Sequence, residues 1–180
     1  MNDVWIIGKG ESLQRLTKKH IGKGIVMTIN SSIQQVEALN LSNLTFALFK
    51  DGASPEYLNE CPSMDCSFCP YGNVYPQRAI MLLHRHESIQ CMPDYYPKMI
   101  LDAEKYGLNW KNESVLLLIE FALSLGCDSF HFVCFDAVTN GSIKALYRDN
   151  EILENGHYLQ QAERLKERCK TLTHEFIETK

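Results

Sequence analysis

Val4-Trp5-Ile6-Ile7-Gly8-Lys9-Gly10-Glu11-Ser12-Leu13 is the stretch on which the reading of the fold turns. The apolar run 4–7 ends at a glycine, as expected of a short strand buried on both faces. After the Gly8-Lys9-Gly10 turn, Leu13, Leu16 and His20 fall at a spacing that predicts successive helical turns from Glu11, with Lys18 and Lys19 near their end. Working outward, residues 25–29 predict a second strand, and Ile33, Val36 and Leu39 mark a second helix. Residues 44–49 predict a third strand. Strand, helix, strand, helix, strand at this spacing implies a βαβαβ unit and a parallel sheet.

The pattern breaks over residues 51–76, which hold four of the six prolines and three of the seven cysteines. A long irregular insert of this kind is functional or tied down by something. Residues 78–83 predict another strand, and 98–106 a short helix. Order returns with an apolar helix over 115–125, opened by Ser114 and closed by Gly126, which suits the left-handed position after a helix. Residues 130–135 read as a central strand ending at Asp136, and 159–171 as a polar amphipathic helix. The expectation is one α/β domain over residues 1–180, a parallel sheet flanked by helices with a Cys/Pro/Tyr-rich insert.

At 180 residues, 45% hydrophobic and 22% charged, the chain has the composition of a globular protein with a sizeable core. Its net charge of −4 argues against non-specific nucleic-acid binding, which needs a basic face. No apolar run approaches the roughly 18 residues of a membrane span. The first residues lack the basic and apolar regions of a signal peptide. Seven cysteines without an export signal imply reduced thiols, hence a cytoplasmic protein.

Several residue groups could carry chemistry. A glycine turn between a parallel strand and a helix can offer backbone N–H groups to an anion, or it can be a plain tight turn. Gly8, Lys9, Gly10 and Ser12 are its members. Asn30, at the end of the second strand, either contacts a base or ribose or caps the next helix. Asp51 and Asp136 each follow a strand, where an acid can bind hydroxyls, hold a metal or act as a base, and where acids are also ordinary caps. Tyr71, Tyr75, Tyr95 and Tyr96 could stack on a base or sugar, with Arg78, Arg85 or Arg148 facing phosphate, or could simply pack an irregular loop.

Cys61-x4-Cys66-x2-Cys69, with Cys91, His84 and His86 downstream, could hold a structural Zn²⁺, since two cysteines two residues apart reach one ion from a tight turn. The spacing also matches the start of a [2Fe–2S] loop, but Met64 and Phe68 are bulky for one. Free thiols are the alternative. Cys127, Cys134 and Cys169 fall in helix or strand patterns and read as packing residues.

Together, IIGKGESL, the strand end Ile29-Asn30, the acid after the third strand and ESVLLLIEFALSLGCDSFHFVCFD resemble a Rossmann-like group. It includes flagellin-glycosylating motility accessory factors and archaeal 6-hydroxymethylpterin diphosphokinases. Bacterial CMP-sialic-acid-dependent sialyltransferases are wider relatives, and short members occur in phages. Glu11 stands where that group usually has proline, and the helix has few alanines. The resemblance implies a nucleotide-sugar-dependent glycosyltransferase, bacterial or phage, acting on an acceptor hydroxyl. Gly8, Lys9, Gly10, Ser12, Asn30 and Asp51 would then bind the nucleotide, with Ser114 facing the same cleft. His157 would be the general base, or else a surface residue capping the following helix, and Asp136 would assist. Two alternatives stay open. One is a diphosphokinase using ATP and Mg²⁺; the other is a non-catalytic protein that sequesters a nucleotide or nucleotide-sugar. The acceptor is undetermined, and homo-oligomerisation is left open.

Overall fold

The structure, a computed structural model, describes residues 2–29, 32–49, 79–83, 98–100, 113–147 and 150–180. Strand β1 (Asp3–Ile7) is followed by two 3₁₀ turns, Glu11–Arg15 and Lys18–His20, then β2 (Ile25–Ile29), α1 (Ile33–Ala38) and β3 (Thr45–Phe49). Next come β4 (Ala79–Leu83), β5 (Lys98–Ile100), α2 (Ser114–Ser124), β6 (Ser129–Val133) and α3 (Asp136–Thr139). A hairpin of β7 (Lys144–Leu146) and β8 (Ile152–Glu154), helix α4 (His157–Cys169) and β9 (His174–Ile177) follow. The main sheet has the order β5-β4-β3-β2-β1-β6-β9, and every neighbouring pair in it is parallel. This is an α/β fold built on a parallel sheet with helices on both faces.

Alternation along the strands divides the core in two. Val4, Ile6, Met27, Phe130 and Phe132 point to one face, where α2 and the buried stripe of α4 cover them. Ile7, Val26 and Val133 point to the other, under Leu13, Leu16, Ile21, Ile33 and Val36. Helix α2 is apolar on most of its circumference and is correspondingly buried. It stops at a left-handed glycine: Gly126 (φ 81°) donates its N–H to Leu123 O, and Cys127 donates to Ala122 O. Helix α4 is polar and buries only a stripe of Ala162, Leu165 and Cys169. Ion pairs Arg164–Glu113 and Arg168–Glu120 lash it to α2.

Four expectations need correction. The helix predicted from Glu11 is a pair of 3₁₀ turns, because Leu16 and Thr17 are extended and break the run. A leucine spacing of three fits a three-residue turn as well as an α-helix. At 98–106, the part that is described is strand β5 rather than a helix. The strand predicted over 130–135 ends at Val133, and Asp136 opens α3. Finally, β7, β8 and β9 were not anticipated, so the chain does not end its sheet at β6; each is three or four residues long, too short for a periodic signal. The insert over 51–76 lies outside the described residues. No helix among the described residues is long and apolar enough to cross a membrane.

Candidate functional site

From β1 the chain proceeds to β2 on one side, while β6 pairs with β1 on the other. Ligands of open parallel sheets bind beyond the carboxyl ends of the strands at such a switch point. A cleft of about 360 Å³ lies there, toward the small end of the range for small-molecule sites, roughly 300–1,000 Å³.

Its floor is made where the two strands end. Gly8 donates its N–H to Val133 O (2.8 Å) and Gly10 to Cys134 O (2.9 Å). Ser12 donates its N–H to Asp136 Oδ2 (2.8 Å) and its hydroxyl to Asp136 Oδ1. A Cβ at Gly10 would lie 2.6 Å from Asp136 Oδ2, and one at Gly8 2.6 Å from Cys134 O. Both glycines are thus required by the close approach of the end of β6. Asp136 is buried and anchors the turn.

Two consequences follow for anion binding. The backbone N–H groups of Gly8, Gly10 and Ser12 already have acceptors within the protein, so a phosphate cradle built from those donors does not fit. The 3₁₀ turn after them is also too short for a developed helix dipole. Beside them, Cys134 has a left-handed backbone (φ 62°) and a buried side chain, and burial pushes its thiol up to about 11. It is therefore no nucleophile near neutral pH.

The walls carry the chemistry. Lys9 Nζ sits 3.7 Å from the centroid of the Tyr147 ring, a cation–π contact. The Tyr147 and Tyr158 hydroxyls are 2.7 Å apart, joining the hairpin to α4. The hairpin is seated on the turn by Leu146 N–H donating to Lys9 O (2.7 Å) and by a bridge between Ala145 and Gly10. Opposite, Glu113 and Ser114 bring the start of α2 to the cleft. Glu113 accepts a hydrogen bond from Arg164 and makes no side-chain cap on the helix. Asn155 and Gln161 add amides, and Ile29, Val115 and Leu165 add apolar surface.

Of the residues singled out in the sequence, the structure brings Gly8, Lys9, Gly10, Ser114 and Asp136 to one cleft. Ser12 lies beneath its floor. His157 is exposed and is not among the lining residues; its backbone N–H donates to Asn155 Oδ1. The imidazole base assigned to it by resemblance is therefore not positioned in the cleft, although Tyr158 and Gln161 of the same helix are. Asn30, Asp51, Cys61, Cys66, Cys69 and Cys91 lie outside the described residues, as do the aromatic and arginine candidates of residues 71–96 and Arg148. No cluster of three or more metal-ligating side chains occurs among the described residues. Sequence reasoning missed Tyr147, Tyr158 and Glu113. Tyr147 lies within the hairpin just after β7 and Tyr158 in the first turn of the helix that follows it, and recognising that hairpin is the signal that would have paired them.

Comparison with known proteins finds no matching family model, no matching curated protein and no matching solved structure.

Proposed function

We propose that the cleft binds a nucleoside phosphate, alone or as the activated half of a nucleotide-sugar. The observation that carries this reading is its position at the switch point between β1 and β6, with the Lys9 ammonium on one wall. Lys9 supplies charge to a phosphate, the paired tyrosine hydroxyls supply donors beside it, and the apolar surface supports a base or sugar ring. Glu113 can accept from sugar hydroxyls.

In the glycosyl-transfer reading, an acceptor oxygen attacks the anomeric carbon and the bond to the nucleoside phosphate breaks. The acceptor proton then passes to Glu113, which accepts from Arg164 through Oε1, because both oxygens of Asp136 already accept from Ser12 and no histidine lines the cleft among the described residues. The exposure of His157 also favours a second reading, binding without turnover.

The test is a thermal-shift screen with nucleoside mono- and diphosphates and nucleotide-sugars, with and without Mg²⁺. A ligand at 100 times its Kd adds about 2.7 kcal/mol, a rise of roughly 5–11 °C for a chain of this size. The expected result is a selective shift by one nucleotide that Lys9→Ala abolishes. Absence of any shift in folded protein would overturn the reading. Release of free sugar or transfer from the selected nucleotide-sugar, lost in Glu113→Gln, separates catalysis from sequestration, and a shift that needs Mg²⁺ points to the diphosphokinase alternative.

A further inference from the structure

The side of the glycine turn that faces away from the cleft is held by a residue 167 positions further along the chain. Thr179, only 2% exposed, donates its hydroxyl to Ser12 O at 2.7 Å. Arg15 Nε donates to the Thr179 carbonyl at 2.9 Å, so the segment after β9 is pinned from both its side chain and its backbone. The same Thr179 hydroxyl lies 4.0 Å from Cys134 Sγ. One side chain therefore touches the turn after β1 and the end of β6, the two pieces that form the cleft floor.

We propose that Thr179 is a positioning residue of the cleft, a clasp that holds the Ser12 turn against the end of β6 and whose loss lets the floor open while the sheet stays folded. Its functional meaning rests on the cleft being a ligand site, but the clasp itself does not. Removing the hydroxyl leaves the buried Ser12 carbonyl without that donor, and the cheapest way to restore a partner is to admit water at the floor. Such an opening is local because the sheet and the opposite core do not depend on this contact.

Cys134 reports the opening directly. Cys127 and Cys169, buried in the core on the opposite face, report global unfolding. The experiment is N-ethylmaleimide labelling of the folded chain, with each of the three cysteines followed separately by peptide mass spectrometry. Thr179→Val, which keeps the shape and removes the hydroxyl, is expected to speed labelling of Cys134 about tenfold or more with Cys127 and Cys169 unchanged. Thr179→Ser restores the hydroxyl and should stay within about twofold of the unmutated chain. Arg15→Gln loosens the same segment more gently and should raise Cys134 labelling selectively by a few-fold.

Cys134 labelling that is no faster in either weakened variant overturns the proposal. So does a rise of all three thiols together in both, since Thr179 would then contribute only to global stability. Should no nucleotide bind the unmutated chain, the ligand reading of the cleft fails while the labelling result still decides the clasp.

Discussion

The floor and the walls of the cleft obey different rules. In the floor, residues that look like a ligand-binding motif are engaged with one another: Gly8 and Gly10 make room for the end of β6, and Ser12 and Asp136 satisfy each other. In the walls, Lys9 comes from that same turn while Tyr147 and Tyr158 come from the hairpin and α4 and belong to no motif, and all three line the cleft. A glycine-rich turn at a strand end is therefore not in itself a phosphate loop. What distinguishes the two cases is where the backbone N–H groups point. Here those of Gly8, Gly10 and Ser12 point into the neighbouring strand end.

The contrast breaks first at Gly10. Gly10→Ala forces a methyl group onto the Asp136 carboxylate and should cost about 3 kcal/mol in urea unfolding. Gly156→Ala is the control, because the backbone there is already helical and the added methyl meets nothing, so a gain of about 0.5 kcal/mol is expected. Equal effects at the two glycines would refute the packing account of the turn.

A smaller effect tests whether burial keeps water from the Cys134 end of the floor. The Cys134 thiol is held protonated by burial up to about pH 11, whereas in the unfolded chain it ionises near its ordinary value of 9.0. A group whose folded pKa is raised contributes fully below the unfolded value and loses that contribution as pH climbs through the folded one. Between pH 9 and 11 the unmutated chain should thus lose about 2 kcal/mol more stability than Cys134→Ser, read from denaturation curves at each pH. Identical pH profiles would mean that water already reaches the thiol.

The walls should respond in the opposite sense. Tyr158→Phe removes one member of the hydroxyl pair and should lower stability by only about 1 kcal/mol. Its effect on the affinity of the nucleotide found by thermal shift should be several-fold, measured by calorimetric titration. A variant that loses stability without losing affinity would return Tyr158 to the structural side of the division.

Much of the sheet was legible before any coordinates. The apolar runs of β1, β2 and β6 are short, dense and flanked by glycine or polar residues, and the apolar helix between Ser114 and Gly126 carries its own stop signal. Short elements were opaque. Strands β7, β8 and β9 are held by their partners rather than by an internal pattern, so nothing local announces them. The site divides in the same way. Lys9, Ser114 and Asp136 could be named because they stand next to recognisable elements. Tyr147 and Tyr158 could not, because their pairing exists only once the hairpin is docked on the turn. His157 shows the converse: a side chain of the right type, one position away from the residue that faces the cleft.

The bond between Ser12 and Asp136 spans 124 residues. Synthesis at about 5–20 residues per second means roughly 6–25 s between the making of these two partners. Throughout that interval β1 can pair with β2 but has no β6, and the Ser12 donors have water instead of a carboxylate. Pairings this distant in sequence form late and set the pace of folding. The cleft floor is thus among the last parts of the molecule to exist, and a nascent chain stalled before residue 136 carries the glycine turn without the strand end that gives it shape.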